Sequence, residues 1–341
     1  SLLSAKISKK PGVCLPVIQL RNLLFSSEEK SLKSFFIKVI IGVKHIINIV
    51  KEAVQNTNYG LKVMLLKDMD DITKLSLVEK HIISPEFALN KTEIGAIAIN
   101  DEENICIMIN EEDHLRIQVF SAGLNLDSAL SLAIEIEESI GKKVNYAYNE
   151  KYGFLTSCPS NVGTGVRASV MMHLPALTKT RNIDKVLNVV NGFGMNIRGI
   201  YGEGTNSKGN IYQISNKQTL GITEQETVKN INSITDRVIE QEKLARKIIS
   251  KETIELEDEV YRAYGLLTNC KKISSDECII LLSEIRLGVD LGIIKEITEA
   301  TLNKLEIYTK PANLQKKLGQ VFTANQRDRK RAEVIKNIIM E

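Results

Sequence analysis

The sequence predicts an α+β fold, a largely antiparallel sheet flanked by helices, followed by an all-helical C-terminal domain. Three observations carry this. Between residues 93 and 120, "EIGAIAIN", "NICIMIN" and "LRIQVF" are short β-rich runs broken by "DEE" and "EEDH", the pattern of antiparallel strands joined by tight turns. Strand-like and helix-like stretches then mix without strict βαβ alternation. From about Lys251 only helical patterns remain, which places a domain boundary close to residue 250 and divides the chain into 1–250 and 251–341.

Residues 31–58 read as one helical stretch. Its run from Phe35 to Val50 carries Lys38, Lys44 and His45, so it is too short and too charged to span a bilayer and is expected to be a buried helix. Residues 61–66 read as a short strand, and the three strands named above follow. In "NLDSALSLAIEIEESIG", Leu126, Ala129, Leu130, Ala133, Ile134 and Ile140 keep helical spacing; Asn125 or Asp127 can cap the start and Gly141 ends it. "TSCPSNVGTGVRASVMMHLPAL", Thr156 to Leu177, reads as a strand or loop to Pro159, a glycine turn, then a helix from about Val166 whose apolar part packs on the sheet. Asn182 to Phe193 is a further helix, and "MNIRGIYG" and "GNIYQIS" are two more strands. After Glu224 comes one long charged helix, then helical patterns with breaks near Asn269, Gly292 and Pro311.

Composition narrows the function. The 341 residues are 43% hydrophobic and 26% charged, enough for a core in each of two domains. A net charge of only +3 implies no general affinity for nucleic acid, and few aromatics with no tryptophan argue against a base-stacking platform. Cys14, Cys106, Cys158, Cys270 and Cys278 are odd in number and form no CxxC pair, which points to a reduced, cytoplasmic protein. His45, His81, His114 and His173 show no metal-ligand spacing, so no metal site is expected. The N-terminus has no signal-peptide pattern, since Lys6, Lys9 and Lys10 precede Pro11 and Gly12 rather than an apolar run. No membrane association is expected.

Four stretches put charged or reactive groups at strand ends or turns: "NEEDHLR" (110–116), "CPSNVGTGVR" (158–167), "RGIYGE" (198–203) and "RDRKRA" (327–332). Each alone has a bland reading: a solvated acidic turn, a small core cysteine, a glycine turn, an exposed basic helix. Gly199, Gly202 and Gly204 run G-x-x-G-x-G, the wrong order for a dinucleotide loop. Together they suggest more. Three guanidiniums, Arg116, Arg167 and Arg198, could clamp a polyphosphate by bidentate contacts. Glu112 and Glu203 could face a cationic substrate, and a thiol at Cys158 close to Arg167 would be an activated one.

In order and spacing, "NEEDHLR", "CPSNVGTGVRASV" and "RGIYGEG" resemble the phosphagen kinases, the ATP:guanido phosphotransferases. "VEKHIISPEF" upstream and "RDRKRA" near the end resemble the bacterial, protein-arginine kinase branch, and the likeness covers about residues 75–341. The resemblance implies a phosphagen-kinase-like fold, of the glutamine-synthetase type, and transfer of the γ-phosphoryl group of ATP to a guanidinium nitrogen. That nitrogen is a poor nucleophile until a proton leaves, because a guanidinium stays protonated at ordinary pH. The resemblance gives Glu112 and Glu203 the tasks of orienting the guanidinium and taking that proton. It places Cys158 beside the substrate nitrogen. It makes Arg116, Arg167 and Arg198 the phosphate-binding arginines, with Mg²⁺ held through the nucleotide.

The same branch acts on arginines in proteins, in the stress response, and marks them for a Clp-type protease. "RDRKRA" resembles its phosphoarginine-recognition motif, with Arg327, Asp328 and Arg331 gripping the modified side chain. The implied partners are protein substrates, an activator protein, a Clp-type protease and a second copy of the chain through the helical domain. Members acting on free guanidino compounds carry an additional N-terminal helical domain, for which this chain leaves no room ahead of the sheet; a free metabolite is therefore the less favoured substrate.

Residues 1–60 depart from the family. Where it opens its sheet with "SSRIRLARN", this chain reads "CLPVIQLRNLLF": Arg21-Asn22 matches the end of the motif, while Pro16, Ile18 and Gln19 stand where arginines are expected. A catalytically weakened phosphoarginine-binding adaptor is the alternative this departure raises.

Overall fold

The computed structural model describes residues 13–23, 35–55, 57–89, 94–200, 207–251 and 253–340. Its centre is an eight-stranded sheet with β1 (Val13–Leu23), β2 (Lys62–Leu65), β3 (Ala96–Ile99), β4 (Ile105–Ile109), β5 (Leu115–Phe120), β8 (Val166–His173), β9 (Met195–Gly199) and β10 (Ile211–Asn216). The order is β2-β3-β4-β5-β1-β8-β10-β9 and every pairing is antiparallel. A separate hairpin joins β6 (Tyr148–Asn149) to β7 (Gly153–Phe154). The three strands expected between residues 93 and 120 form, and so do the two flanking the 201–206 segment.

β1 sits between β5 and β8, one of the two central strands of the sheet. Gln19 pairs in register with Gln118 on one side and Arg167 on the other, and a bulge between Leu20 and Asn22 sets Asn22 opposite Arg116. The divergent segment thus occupies a central strand.

Helices α1 (Phe35–Gln55), α4 (Leu126–Gly141), α5 (Pro175–Lys179), α6 (Ile183–Gly192) and α7 (Glu224–Ile249) supply residues to one core with the sheet, while the short α2 (Asp71–Glu79) and α3 (Pro85–Leu89) contribute to the other. Alternation decides which side chains go where. Ile105, Ile107, Ile109, Leu115, Ile117 and Val119 belong to the first core; Cys106, Met108 and Phe120 belong to the second. A further core gathers residues 256–338 from α8 (Thr253–Asn269), α9 (Ser275–Asp290), α10 (Glu299–Tyr308), α11 (Pro311–Leu318) and α12 (Ala324–Met340).

One expectation is overturned. The helix expected from Val166 is strand β8, and only Pro175–Lys179 is helical. Val166, Ala168, Val170 and Met172 enter the first core, while Arg167, Ser169, Met171 and His173 alternate with them. Every β8 residue except Arg167 is buried. The strand signal is the period-two alternation of Val166, Ala168, Val170 and Met172 with the polar Arg167, Ser169 and His173, blurred by the unbroken apolar run Val170–Met172. Pro175 then opens the short helix at its first turn, where its missing N–H costs nothing. At α4, Asn125 is the N-cap residue but makes no side-chain capping bond.

Candidate active site

The turn between β4 and β5 is shaped by Asn110, whose φ of 60° lies in the left-handed region that asparagine tolerates. Its N–H donates to the His114 carbonyl at 3.0 Å and its side-chain amide to the Ile94 carbonyl at 2.8 Å. The turn sorts three acidic residues by environment. Glu111 is half-buried and accepts from the Ser84 hydroxyl at 2.7 Å, from Arg116 at 3.1 Å and from the Glu112 N–H at 3.1 Å. Burial pushes its carboxyl up, but Arg116, Ser84 and the Glu112 N–H outweigh that and hold it below the usual carboxylate range. Glu112 projects into solvent. Asp113 is 2% exposed and accepts from the Ser157 N–H at 2.6 Å, which ties the acidic turn to the loop carrying Cys158.

That loop is built on hydrogen bonds and two glycines. Cys158 precedes a short 3₁₀ turn, Pro159–Asn161, and its Sγ lies 3.0 Å from Ser160 Oγ. The Thr219 hydroxyl donates to the Ser160 and Val162 carbonyls at 3.0 and 2.8 Å, and the Thr164 N–H donates to the Thr219 carbonyl at 2.8 Å. Gly163 has φ 115°, and a Cβ there would stand 2.2 Å from the Thr219 carbonyl oxygen. No side chain fits at that crossing.

The three arginines come from β5, β8 and β9 and share one face of the sheet. Arg116 pairs with Met108, Arg167 sits two residues from Ser169, and Arg198 pairs with Gln213, itself opposite Met171. Gln213 accepts from Arg198 Nη2 at 3.1 Å and donates to Ser169 Oγ at 2.9 Å. Arg167 reaches solvent on one side while protein crowds its guanidinium. It is held below the ordinary guanidinium value, first by burial, then by the positive charges of Arg198 and Arg116, with Cys158 acting the other way. Two cations and a thiol that all act on one guanidinium define a single locus. Three like charges gathered with one paired carboxylate, Glu111 on Arg116, leave a net positive locus that is costly in a folded chain unless an anion binds there.

On the same face the sheet meets the helical domain at a cavity of about 100 Å³, lined by His81, Met171, Ile200, Ile211, Leu282 and Lys310 among others. Met171 is four residues along β8 from Arg167, about 13 Å at strand rise. His81 is held at about 3, by burial first and then by Lys310 and Arg198, so it is neutral at ordinary pH. An apolar recess at that distance from a cation cluster could take the base of a nucleotide whose phosphates rest on the arginines.

The structure therefore brings Arg116, Arg167, Arg198 and Cys158 together and links Glu112 to them through its neighbours. Glu203 lies outside the described residues. Arg327, Asp328 and Arg331 are placed apart, on α12, which packs on α8, α10 and α11. Arg331 is 1% exposed and donates to the Thr309 and Ile273 carbonyls and to Asp328, at 2.7, 2.6 and 2.7 Å. Arg327 donates to the Phe322 carbonyl at 2.9 Å; it and Asp328 stay half-exposed. Residue-type reasoning missed Asp113, Ser169 and Gln213, because only strand register and loop packing put them beside the named residues.

Comparison with known proteins bears on the sequence and the fold. A model of the ATP:guanido phosphotransferase C-terminal catalytic domain matches residues 43–245, and one of the protein-arginine kinase McsB C-terminal domain matches residues 253–341. The chain is 46% identical over 295 residues to the protein-arginine kinase of Halalkalibacterium halodurans, covering 86% of this chain and 82% of that one. It is 48% identical over 272 residues to that of Bacillus subtilis, covering 80% and 74%. Among solved structures, the duplicated taurocyamine kinase of Schistosoma mansoni aligns with a TM-score of 0.58 at 27% identity, over 68% of this chain and 33% of that one. A lombricine kinase shares the fold, with a TM-score of 0.57 at 22% identity, over 71% and 70%.

Proposed function

The chain belongs to the ATP:guanido phosphotransferase family, and on that premise we propose that it is a protein-arginine kinase, moving the γ-phosphoryl group of ATP onto arginine side chains of proteins. The observation that carries the reading is the convergence of Arg116 and Arg198 on Arg167 beside Cys158. A phosphoryl group in flight spreads negative charge over its oxygens, and preorganised cations stabilise that charge more than they stabilise the ground state. Ser169 and Gln213 keep Arg198 aimed across the face, and Glu111 holds Arg116.

In this reading the substrate guanidinium lies between Cys158 and the exposed carboxylate of Glu112, with Glu203 as the second carboxylate. Two carboxylates fix the guanidinium in line with the phosphate, and one takes the proton as the N–P bond forms. Cys158 positions the nitrogen and is not phosphorylated. The recess by His81 and Met171 takes the base. Mg²⁺ would be held through the nucleotide, as the family resemblance implies.

The setting extends the proposal. By resemblance, the product marks proteins for a Clp-type protease in the stress response, Arg327, Asp328 and Arg331 recognise phosphoarginine, and the helical domain pairs two copies and works with an activator protein. The half-exposed Arg327 and Asp328 offer a charge-assisted site, with the buried Arg331 anchoring Asp328 from behind. Cys106, Cys158, Cys270 and Cys278 are unpaired, consistent with a reducing, cytoplasmic setting; no described helix is long and apolar enough to cross a membrane.

The test is incubation with ATP and an arginine-bearing protein, read by phosphoarginine mass spectrometry. Wild type is expected to give signal that Glu203→Ala and Arg167→Ala abolish; equal background from all three would end the kinase reading. The adaptor reading draws on β1, where Gln19 is in register beside Arg167. It would be favoured if wild type gave no transfer yet bound a phosphoarginine peptide with an affinity that Arg327→Ala removes.

A further inference from the structure

The loop bearing Cys158 is flanked by a groove that the catalytic reading does not use. It is about 370 Å³, walled by Tyr148 and Tyr152 of the β6–β7 hairpin and by Leu220, with Glu224 and Glu226 at the start of α7. Tyr148, Tyr152 and Leu220 are 60, 45 and 51% exposed, an unusual outlay of apolar surface on one short hairpin and the turn beside it. The aromatic surface is braced. Tyr148 meets Phe154 edge to face at 5.2 Å, and Phe154 exchanges two backbone hydrogen bonds with Gly163, at 2.8 and 3.1 Å.

We propose that this groove is a docking exosite for the polypeptide segment that flanks the target arginine. The inference rests on the protein-substrate reading above and adds where such a substrate is held. Two observations commit it to that occupant. First, the groove is continuous with the candidate active site: Gly163 and Thr164 line it, and Thr219 beneath them bonds the carbonyls of Ser160 and Val162 in the Cys158 loop. An arginine held by its backbone must lay its neighbours within a few residues of Cys158, at about 3.3 Å per extended residue, and the groove lies within that reach. A free guanidino compound has no neighbours to place there. Second, the lining suits an arginine-bearing segment, since the carboxylates of Glu224 and Glu226 outnumber its one cation, Lys151, and the tyrosines supply flat apolar area.

Two substrates separate this role from a structural one: a 15-residue arginine peptide and N-acetylarginine amide, which cannot reach the groove. For Tyr148→Ala/Tyr152→Ala, KM for the peptide is expected to rise about tenfold with kcat unchanged. kcat/KM for the small amide is expected to stay at the wild-type value. Leu220→Lys, which places a repelling charge at the rim, should act in the same direction. An equal loss on both substrates would show that the hairpin only shapes the Cys158 loop, and unchanged KM for the peptide would leave the groove without a role; either result overturns the proposal. Absence of transfer by wild type to both substrates would overturn the kinase reading itself, and the exosite with it.

Discussion

At the scale of single residues, the site is held by groups that do no chemistry. Asp113 accepts the Ser157 N–H at 2.6 Å in a nearly solvent-free setting. Asp113→Ala leaves that N–H unpaired and is expected to cost about 1–3 kcal/mol by urea denaturation, together with activity, because the Cys158 loop loses its tether. Asp113→Asn keeps an acceptor and should recover part of both. Arg167 shows the opposite balance. It is repelled by Arg198 and Arg116, so Arg167→Gln should leave the melting temperature level or raised while kcat falls about 10²–10³-fold. A melting temperature that falls with activity would show that the cluster is held together by something other than its need for an anion.

Among elements, the glycine crossing and strand β8 carry the argument. Gly163 combines φ 115° with a backbone oxygen where its Cβ would be, so Gly163→Ala forces the Thr219 segment and the Cys158 loop apart. The expected result is a loss of about 1–3 kcal/mol in stability and a fall in kcat larger than for Gly221→Ala, whose Cβ meets no atom within 4 Å. β8 brings Arg167 to the sheet face and carries Met171 to the recess. In a helix Arg167 and Met171, four residues apart, would stand one turn and about 6 Å from each other. The strand separates them by about 13 Å, so one segment can serve both phosphate and base.

Over the whole molecule, the sheet and the helical domain are joined where the recess lies. Glu79 at the end of α2 accepts the N–H groups of Ala312 and Asn313 at 2.7 and 2.9 Å and the Asn313 amide at 2.8 Å, capping α11 from the other domain. His81 is half-buried and His173 buried at this junction, and both are held below the ordinary histidine value, each first by the loss of solvent around it. The unfolded chain takes up protons near 6.5 while folded His81 stays neutral down to about 3, so below pH 6.5 the unfolded state binds more protons. Stability is therefore expected to be full above about pH 6.5 and to fall by about 1.4 kcal/mol per pH unit per histidine as pH drops toward 3. Urea midpoints measured across that range should show the slope, and His81→Gln should flatten it; a slope unchanged in the variant would assign the acid sensitivity elsewhere.

The local sequence determined a good deal. β-rich runs broken by acidic turns marked β3, β4 and β5, helical spacing marked α4, and the ordered motifs singled out Glu112, Cys158, Arg116, Arg167 and Arg198 as candidates, their expected chemistry coming from the family resemblance. These features are written in neighbouring residues, by periodicity or by residue type at a fixed spacing. The tertiary structure decided the rest. It made Val166–His173 a strand, because pairing with β1 and β10 satisfies its backbone while both faces are buried, and that pairing depends on segments distant in the chain. It put β1 between β5 and β8, set Asp113 against Ser157, and buried Arg331 while leaving Arg327 half-exposed. Each of these depends on which distant segment packs against which, an outcome of burying the most apolar surface with every polar group paired, and no short stretch of the chain contains it.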